Sequence, residues 1–161
     1  MIALRRGAPL SAFFLACALS IIWARPAQTR TIQIDDTGTL ALEPSVSLRW
    51  KSVAPPRSGS DNLMLGTSTL RVRLNVMPWL HRSLRIYLNL PAQQPGPIAI
   101  SWLTQGRFIP GQLRSGNRVL LYAGPITTPF LEDTLTVQYS VDGSLVRHTF
   151  PVTFHFETDE D

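Results

Sequence analysis

Three histidines, a vicinal acid pair, one cysteine and a row of arginines are the residues through which this 161-residue chain could do chemistry. His81 follows Pro78-Trp79-Leu80 in a connection. His148 and His155 lie on one alternating segment at positions of opposite parity. Neighbouring parities of a strand point to opposite faces, so these two cannot share a metal within it. His148 is expected to be a partly buried histidine with one hydrogen-bond partner. Glu132-Asp133 is expected to open a strand after Pro129 and to be structural, because an acid–base pair needs two carboxylates facing one cleft. There is no nucleophile elbow, zinc-protease helix motif, phosphate-binding glycine loop or dinucleotide fingerprint. A single cysteine, Cys17, excludes an intramolecular disulfide and a cysteine-rich zinc site. The reading is a non-enzyme with no cofactor and no metal, a hydrolase being the less favoured alternative.

The best-formed polar feature is a set of cations at outward strand positions: Arg49, Lys51, Arg71, Arg73 and Arg85, with Tyr87 and Asn89 beside them. If the strands around residues 70 and 84 pair across the Met77–Ser83 connection, Arg71, Arg73, Arg85 and Tyr87 share one face. That face would suit an anionic glycan or phosphate, with guanidinium forks for carboxylates and Tyr87 as a flat contact. The competing reading is a solvated sheet face kept soluble by arginine. Of the fifteen Lys and Arg residues only Lys51 is lysine, which reads as a coding bias, so nucleic-acid binding is not inferred.

The elements that must position these residues begin with an export signal. Arg5 and Arg6 precede the apolar run Ser11–Ala24, which is too short for a bilayer span and ends in small residues. Cleavage is expected after Ala24, leaving no membrane span and a secreted, periplasmic or cell-surface chain. An uncleaved anchor is the alternative; Phe14-Leu15-Ala16 before Cys17 fits a lipid-attachment motif poorly. Removing Arg5 and Arg6 lowers the formal charge from +4 to +2. The expected organisation is a signal peptide at 1–24, one domain at 25–156 and a frayed acidic tail at 157–161.

Within the domain, apolar and polar residues alternate with the period of half-buried strands over 46–51, 70–76, 84–90, 135–141 and 146–157. Pro97–Leu103 and Arg118–Ala123 are more continuously apolar and read as central strands. Asp142-Gly143 signals a tight hairpin, and Asp35-Asp36-Thr37-Gly38 a second turn. Thr104–Asn117 reads as a short hairpin or a long loop. Pro151 inside the last strand places that strand at an edge or at a bulge. Met77–Ser83 is the one place for a short helix, with Pro78 suited to its first turn. The expected fold is all-β, an antiparallel immunoglobulin-like β-sandwich of eight or nine short strands, with a small barrel as runner-up. Trp50, Trp102, Phe150, Phe154 and Phe156 are the aromatic core candidates.

Ile32, Ile34, Gly38, Leu40 and Leu42 share one parity, interrupted only by Asp36. As one extended strand they could complete a neighbour's open sheet; as two short strands around Asp36-Thr37 they form an ordinary hairpin. In this segment and in its architecture the chain resembles the disulfide-free pilin and adhesin subunits of chaperone–usher fimbriae. The resemblance implies a binding or assembly module of the cell envelope, most concretely a fimbrial subunit, whose partners are other envelope or pilus subunits. The alternative is a monomeric periplasmic domain that binds an anionic ligand or glycan through the arginine face.

Overall fold

Alternation carries through into burial. In β4 (Leu63–Asn75) Ser68, Val72 and Leu74 are buried while Thr67, Arg71 and Arg73 are exposed. In β9 (Phe130–Asp142) every odd-numbered residue from Leu131 to Val141 is buried. Leu84, Ile86, Leu88 and Leu90 of β5 (Ser83–Leu90) and Ile98, Ile100 and Trp102 of β6 (Ile98–Thr104) do the same. The computed structural model describes residues 30–43, 45–52, 62–92, 96–144 and 152–160. The expected signal peptide, His148, Phe150 and Pro151 lie outside the described residues.

The remaining strands are β1 (Arg30–Gln33), β2 (Leu40–Ala41), β3 (Arg49–Trp50), β7 (Gly111–Arg114), β8 (Asn117–Pro125) and β10 (His155–Glu160). They form a four-stranded sheet, β1-β10-β5-β8, and a six-stranded sheet, β2-β4-β9-β6-β7, with β3 also paired to β4. Every described pairing is antiparallel. The two apolar faces meet in one layer, so the molecule is a β-sandwich. Thr104–Asn117 resolves into a hairpin, with β7 folded back on β6. A 3-10 turn at Met77–Trp79 has Pro78 in its first positions, as expected.

Long-range placement departs from the sequence reading in four respects. The 3-10 turn does not close a hairpin: β4 belongs to one sheet and β5 to the other, so the chain crosses the sandwich there. His81 takes a left-handed backbone (φ 63) and its N–H donates to the Ile126 carbonyl, which fixes that crossing. The segment that would pair with β9 after the Asp142-Gly143 turn, residues 145–151, lies outside the described residues, and the next described strand, β10, belongs to the other sheet. The carboxylate of Asp142 accepts from Asn62 and from the backbone and hydroxyl of Ser144, a polar clasp that makes the turn. Arg118–Ala123 lies in β8, the last strand of its sheet among the described residues, while β6 is flanked on both sides. Trp50 is half exposed, at 49%, and packs against Gly143, where a Cβ would meet its ring.

The fourth departure is the acidic end. Residues 157–160 are not a tail but part of β10, which lies inside its sheet between β1 and β5 and not at an edge. The alternation continues through them: Phe156 and Thr158 turn inward, with Thr158 fully buried, while Glu157 and Asp159 turn outward. Pro151 precedes this strand, so it imposes no edge on it. Truncation after Phe156 is therefore expected to unfold the protein, read by far-ultraviolet circular dichroism and urea titration. A frayed tail would come away without effect.

Candidate functional site

Two places carry the residues singled out by chemistry and spacing: the N-terminal seam and the outer sheet faces. The seam begins at β1, which pairs with β10 through Arg30↔Glu160, Thr31↔Asp159, Ile32↔Thr158 and Gln33↔Glu157. The Ile34 N–H then donates to the Phe156 carbonyl at 2.7 Å, and its side chain is 1% exposed in the shared core. The chain turns immediately afterwards. Asp35 accepts from the backbone and hydroxyl of Thr37, and the Thr39 N–H donates to the Asp36 carbonyl. These bonds hold the Asp35 carboxyl below the usual carboxylate range.

After this turn the segment joins the other sheet. Leu40 and Ala41 pair with Arg71 and Leu70 of β4. Ile32, Ile34, Gly38, Leu40 and Leu42 therefore do not form one extended strand, and β1 and β2 do not form a hairpin with each other. The first two residues close the four-stranded sheet and its core. Leu40 and Leu42 lie exposed along β4, and Gly38 sits against the Arg73 side chain. Sequence reasoning missed this division, because a turn signal with matching parity on both sides looks the same whether the flanking strands meet or part. Asp36, the one misfit of parity, marks the parting.

The arginine face divides in the same way. Arg71 and Arg73 lie on the outer face of the six-stranded sheet, while Arg85 and Tyr87 lie on the outer face of the four-stranded one. Arg73 is engaged locally: its Nε is 3.0 Å from Glu132, and its guanidinium lies 4.0 Å from the Phe130 ring centroid. Arg49 joins Arg71 and Arg73 on their sheet but opposite Leu65, toward the far end of β4. The vicinal acids part as strand neighbours must. Glu132 points out to Arg73; Asp133 points in, 7% exposed, accepting from the Phe108 N–H and its own neighbour Thr134. The two carboxylates therefore do not face one cleft.

The outer face of the four-stranded sheet is knitted to itself. Arg118 makes a two-pronged bond to Asp159, at 2.7 and 3.0 Å, and its guanidinium lies 4.5 Å from the Tyr87 ring centroid. Thr31 also donates to Asp159, Asn89 donates to Glu157 at 2.6 Å, and Gln33 meets His155 Nδ1 at 3.3 Å. His155 faces outward, as its parity predicts. The acids of the supposed tail thus stitch β10 to β1, β5 and β8. Among the described residues no group of three metal-ligating side chains converges, and no helix is long and apolar enough to cross a membrane.

No known protein family, curated protein or solved structure matches the chain. Its geometry must speak for its function.

Two measurements probe this site. Ile34→Ala is expected to cost about 2–4 kcal/mol by urea denaturation, because the cavity opens where both sheets meet. The second concerns Asp159, which the bonds from Arg118 hold below the ordinary carboxylate value. A depressed carboxyl contributes stability above its ordinary value and loses that contribution as pH falls through the lowered one. Arg118→Ala should return Asp159 toward ordinary titration, followed by carboxyl-carbon NMR. The stability lost at neutral pH should be about 1 kcal/mol or less, as the pair is largely solvated.

Proposed function

We propose that this protein is an exported cell-envelope assembly module, a subunit of the fimbrial type that joins its neighbours by exchanging the N-terminal strand. The observation that carries this reading is the seam. β1 is only four residues long, lies at the outside of its sheet and, among the described residues, ladders with β10 alone. Behind it, one fully buried residue, Ile34, plugs the core, and a tight turn then releases the chain into the other sheet. Withdrawing residues 30–34 would leave β10 with an unpaired row of N–H and C=O groups and an open apolar socket. An exposed strand edge of this kind is a template for another chain's strand. The same five residues of a second copy carry the complement: an extended backbone and an isoleucine at the right spacing.

The anionic-ligand alternative draws less support, because its residues do not gather. Arg85 and Tyr87 are across the sandwich from Arg71 and Arg73. Arg73 is also committed to Glu132 and Phe130.

The test is the mass in solution of the chain from Arg25 to Asp161 by size exclusion with light scattering, before and after refolding at high concentration. A ladder of multiples is expected. A chain starting at Glu43, which lacks β1, Ile34 and β2, is expected to become a folded monomer only with a synthetic Thr31–Leu42 peptide. A strictly monomeric full chain after concentrated refolding, with a truncated chain that ignores the peptide, would overturn the proposal.

A further inference from the structure

Among the described residues, the large apolar side chains left in solvent are not spread evenly. Leu40, Leu42, Leu103 and Phe130 stand on the outer face of the six-stranded sheet, at 58%, 56%, 70% and 41% exposure. Trp50, Met77 and Ile109 lie at a strand end, in the 3-10 turn and in the loop between β6 and β7. None of the seven is on the outer face of the four-stranded sheet, whose polar side chains bond to one another.

The register arranges the six-stranded face in rows. Leu42, whose N–H donates to the Thr69 carbonyl, heads a row that continues through Thr69 and Thr136 to Leu103. Two exposed leucines thus flank two threonines. On one side lies the row Leu40, Arg71 and Thr134, and beyond it Arg73 opposite Glu132. On the other side lie Thr67, Gln138 and Ser101, and then Arg49, Leu65, Ser140, Ala99 and Arg114. A shallow, open and mainly apolar depression adjoins Leu103, bordered by Thr136, Gln138, Pro110 and Gly111.

These rows complement themselves. A second copy can lie face to face about a two-fold axis that runs along the strands between β4 and β9. Such an axis keeps each row at its own height and exchanges β4 with β9 and β2 with β6. Leu42 of each copy then faces Leu103 and the depression of the other, and Thr69 faces Thr136. Arg73 faces Glu132, so the pair that each chain makes within itself, 3.0 Å apart, is offered again between chains. Arg71 faces Thr134 and Arg49 faces Ala99, so no arginine meets an arginine. β7, which carries Arg114, falls outside the overlap. A closed two-fold contact needs this property, that residue i meets j while j meets i. Sheets stacked face to face align within about 30°, which preserves the facing of rows near the axis. Four strands about 4.8 Å apart and five rows about 6.8 Å apart cover on the order of 600 Å² per copy, the low end for a specific contact.

We propose that the outer face of the six-stranded sheet is a self-association surface whose partner is a second copy of this chain. The contact is built from β2, β4, β9 and β6 and uses neither β1 nor β10. It joins folded chains reversibly, whereas exchange at the N-terminal seam first withdraws a strand.

The test is sedimentation velocity of the natively purified Arg25–Asp161 chain over a dilution series reaching about 1 mM. A reversible monomer–dimer equilibrium is expected. Arg73→Glu and Glu132→Arg, each alone, should weaken it about tenfold, because symmetry counts every change twice. A one-to-one mixture of these two variants should restore it, since their opposite charges match only between chains. Leu103→Asp should also weaken it about tenfold or more, as it sets two carboxylates in the contact. Arg85→Glu, the same charge change on the opposite sheet, should leave it unaltered, and a thermal melt should show every variant folded. The inference fails if the chain stays monomeric throughout the series, if the mixture associates no better than the single variants, or if Leu103→Asp leaves the dimer intact. A ladder that survives dilution and ignores these variants reports strand exchange alone and overturns this contact. A reversible dimer with no ladder after refolding upholds this contact and overturns the exchange.

Discussion

The thirteen-residue ladder between β4 and β9, from Leu63↔Asp142 to Asn75↔Phe130, is the constraint on which the other placements rest. It fixes the register of the six-stranded sheet. A slip of one residue would turn Val72, Leu74, Leu135 and Val137 to solvent and drive Arg71, Arg73 and Glu132 into the core. The penalty is cumulative along the ladder, so no partial slip is tolerable. With this ladder set, β6 can only dock on β9 with Ile98, Ile100 and Trp102 inward, and the free edge of β4 is left for the N-terminal segment. That segment runs the length of β4 in pieces. Asp35 bridges Asn75, the Thr39 hydroxyl stands in for a ladder group at Arg73, Glu43 accepts the Thr69 N–H, and Arg49 and Trp50 pair with Leu65 and Met64. Side chains fill ladder positions that the irregular backbone leaves open. A long edge that would otherwise recruit other chains is thereby covered.

Period-2 alternation made the faces legible in the sequence but not the partners. The inward positions of β5, and those of β9 from Leu135 to Val141, could be named from the order of apolar residues alone, because alternation is a local property. Pairing is not local. A seven-residue connection after Asn75 looks like a hairpin loop, yet the 3-10 turn at Met77–Trp79 and the left-handed His81 carry the chain across the sandwich. The candidate arginine face was lost at that step, since Arg85 followed β5 to the other sheet. The end of the chain was misread for a different reason. Glu157, Asp159 and Glu160 look like a solvated charge run, and Thr158 between them looks polar. In the structure Thr158 is an inward residue and the two flanking acids have partners in Asn89, Thr31 and Arg118. No pattern in the sequence names those partners, because each lies on a strand distant in the chain.

Buried polar groups follow the same economy. Asp133 occupies an inward position of β9 that the pattern assigns to the core, and its carboxylate binds the Phe108 N–H at 2.8 Å. It thereby anchors the loop between β6 and β7. Ser68 and Tyr139, facing each other within the core layer, share a 3.0 Å bond, and burial pushes the Tyr139 phenol up from its ordinary value. Among the described residues no buried side-chain polar atom is left without a partner. Polar residues at inward positions thus serve to fix loops and strands, and those on the outer face of the four-stranded sheet lock β10 in place.

That division bears on how the N-terminal strand is held. The bonds that fix β10 from its other side, from Asn89 and Arg118, do not involve β1. If β1 leaves, β10 keeps its ladder with β5 and both of these anchors, and what is lost is one edge pairing and the core contact of Ile34. The Asp35–Thr37 turn separates this loss from the rest of the N-terminal segment, since everything after it is registered to β4 and not to β10. The first strand is thus held to the frame by one edge ladder and by the seat of Ile34 in the core, and Ile34 is the one fully buried side chain of that attachment.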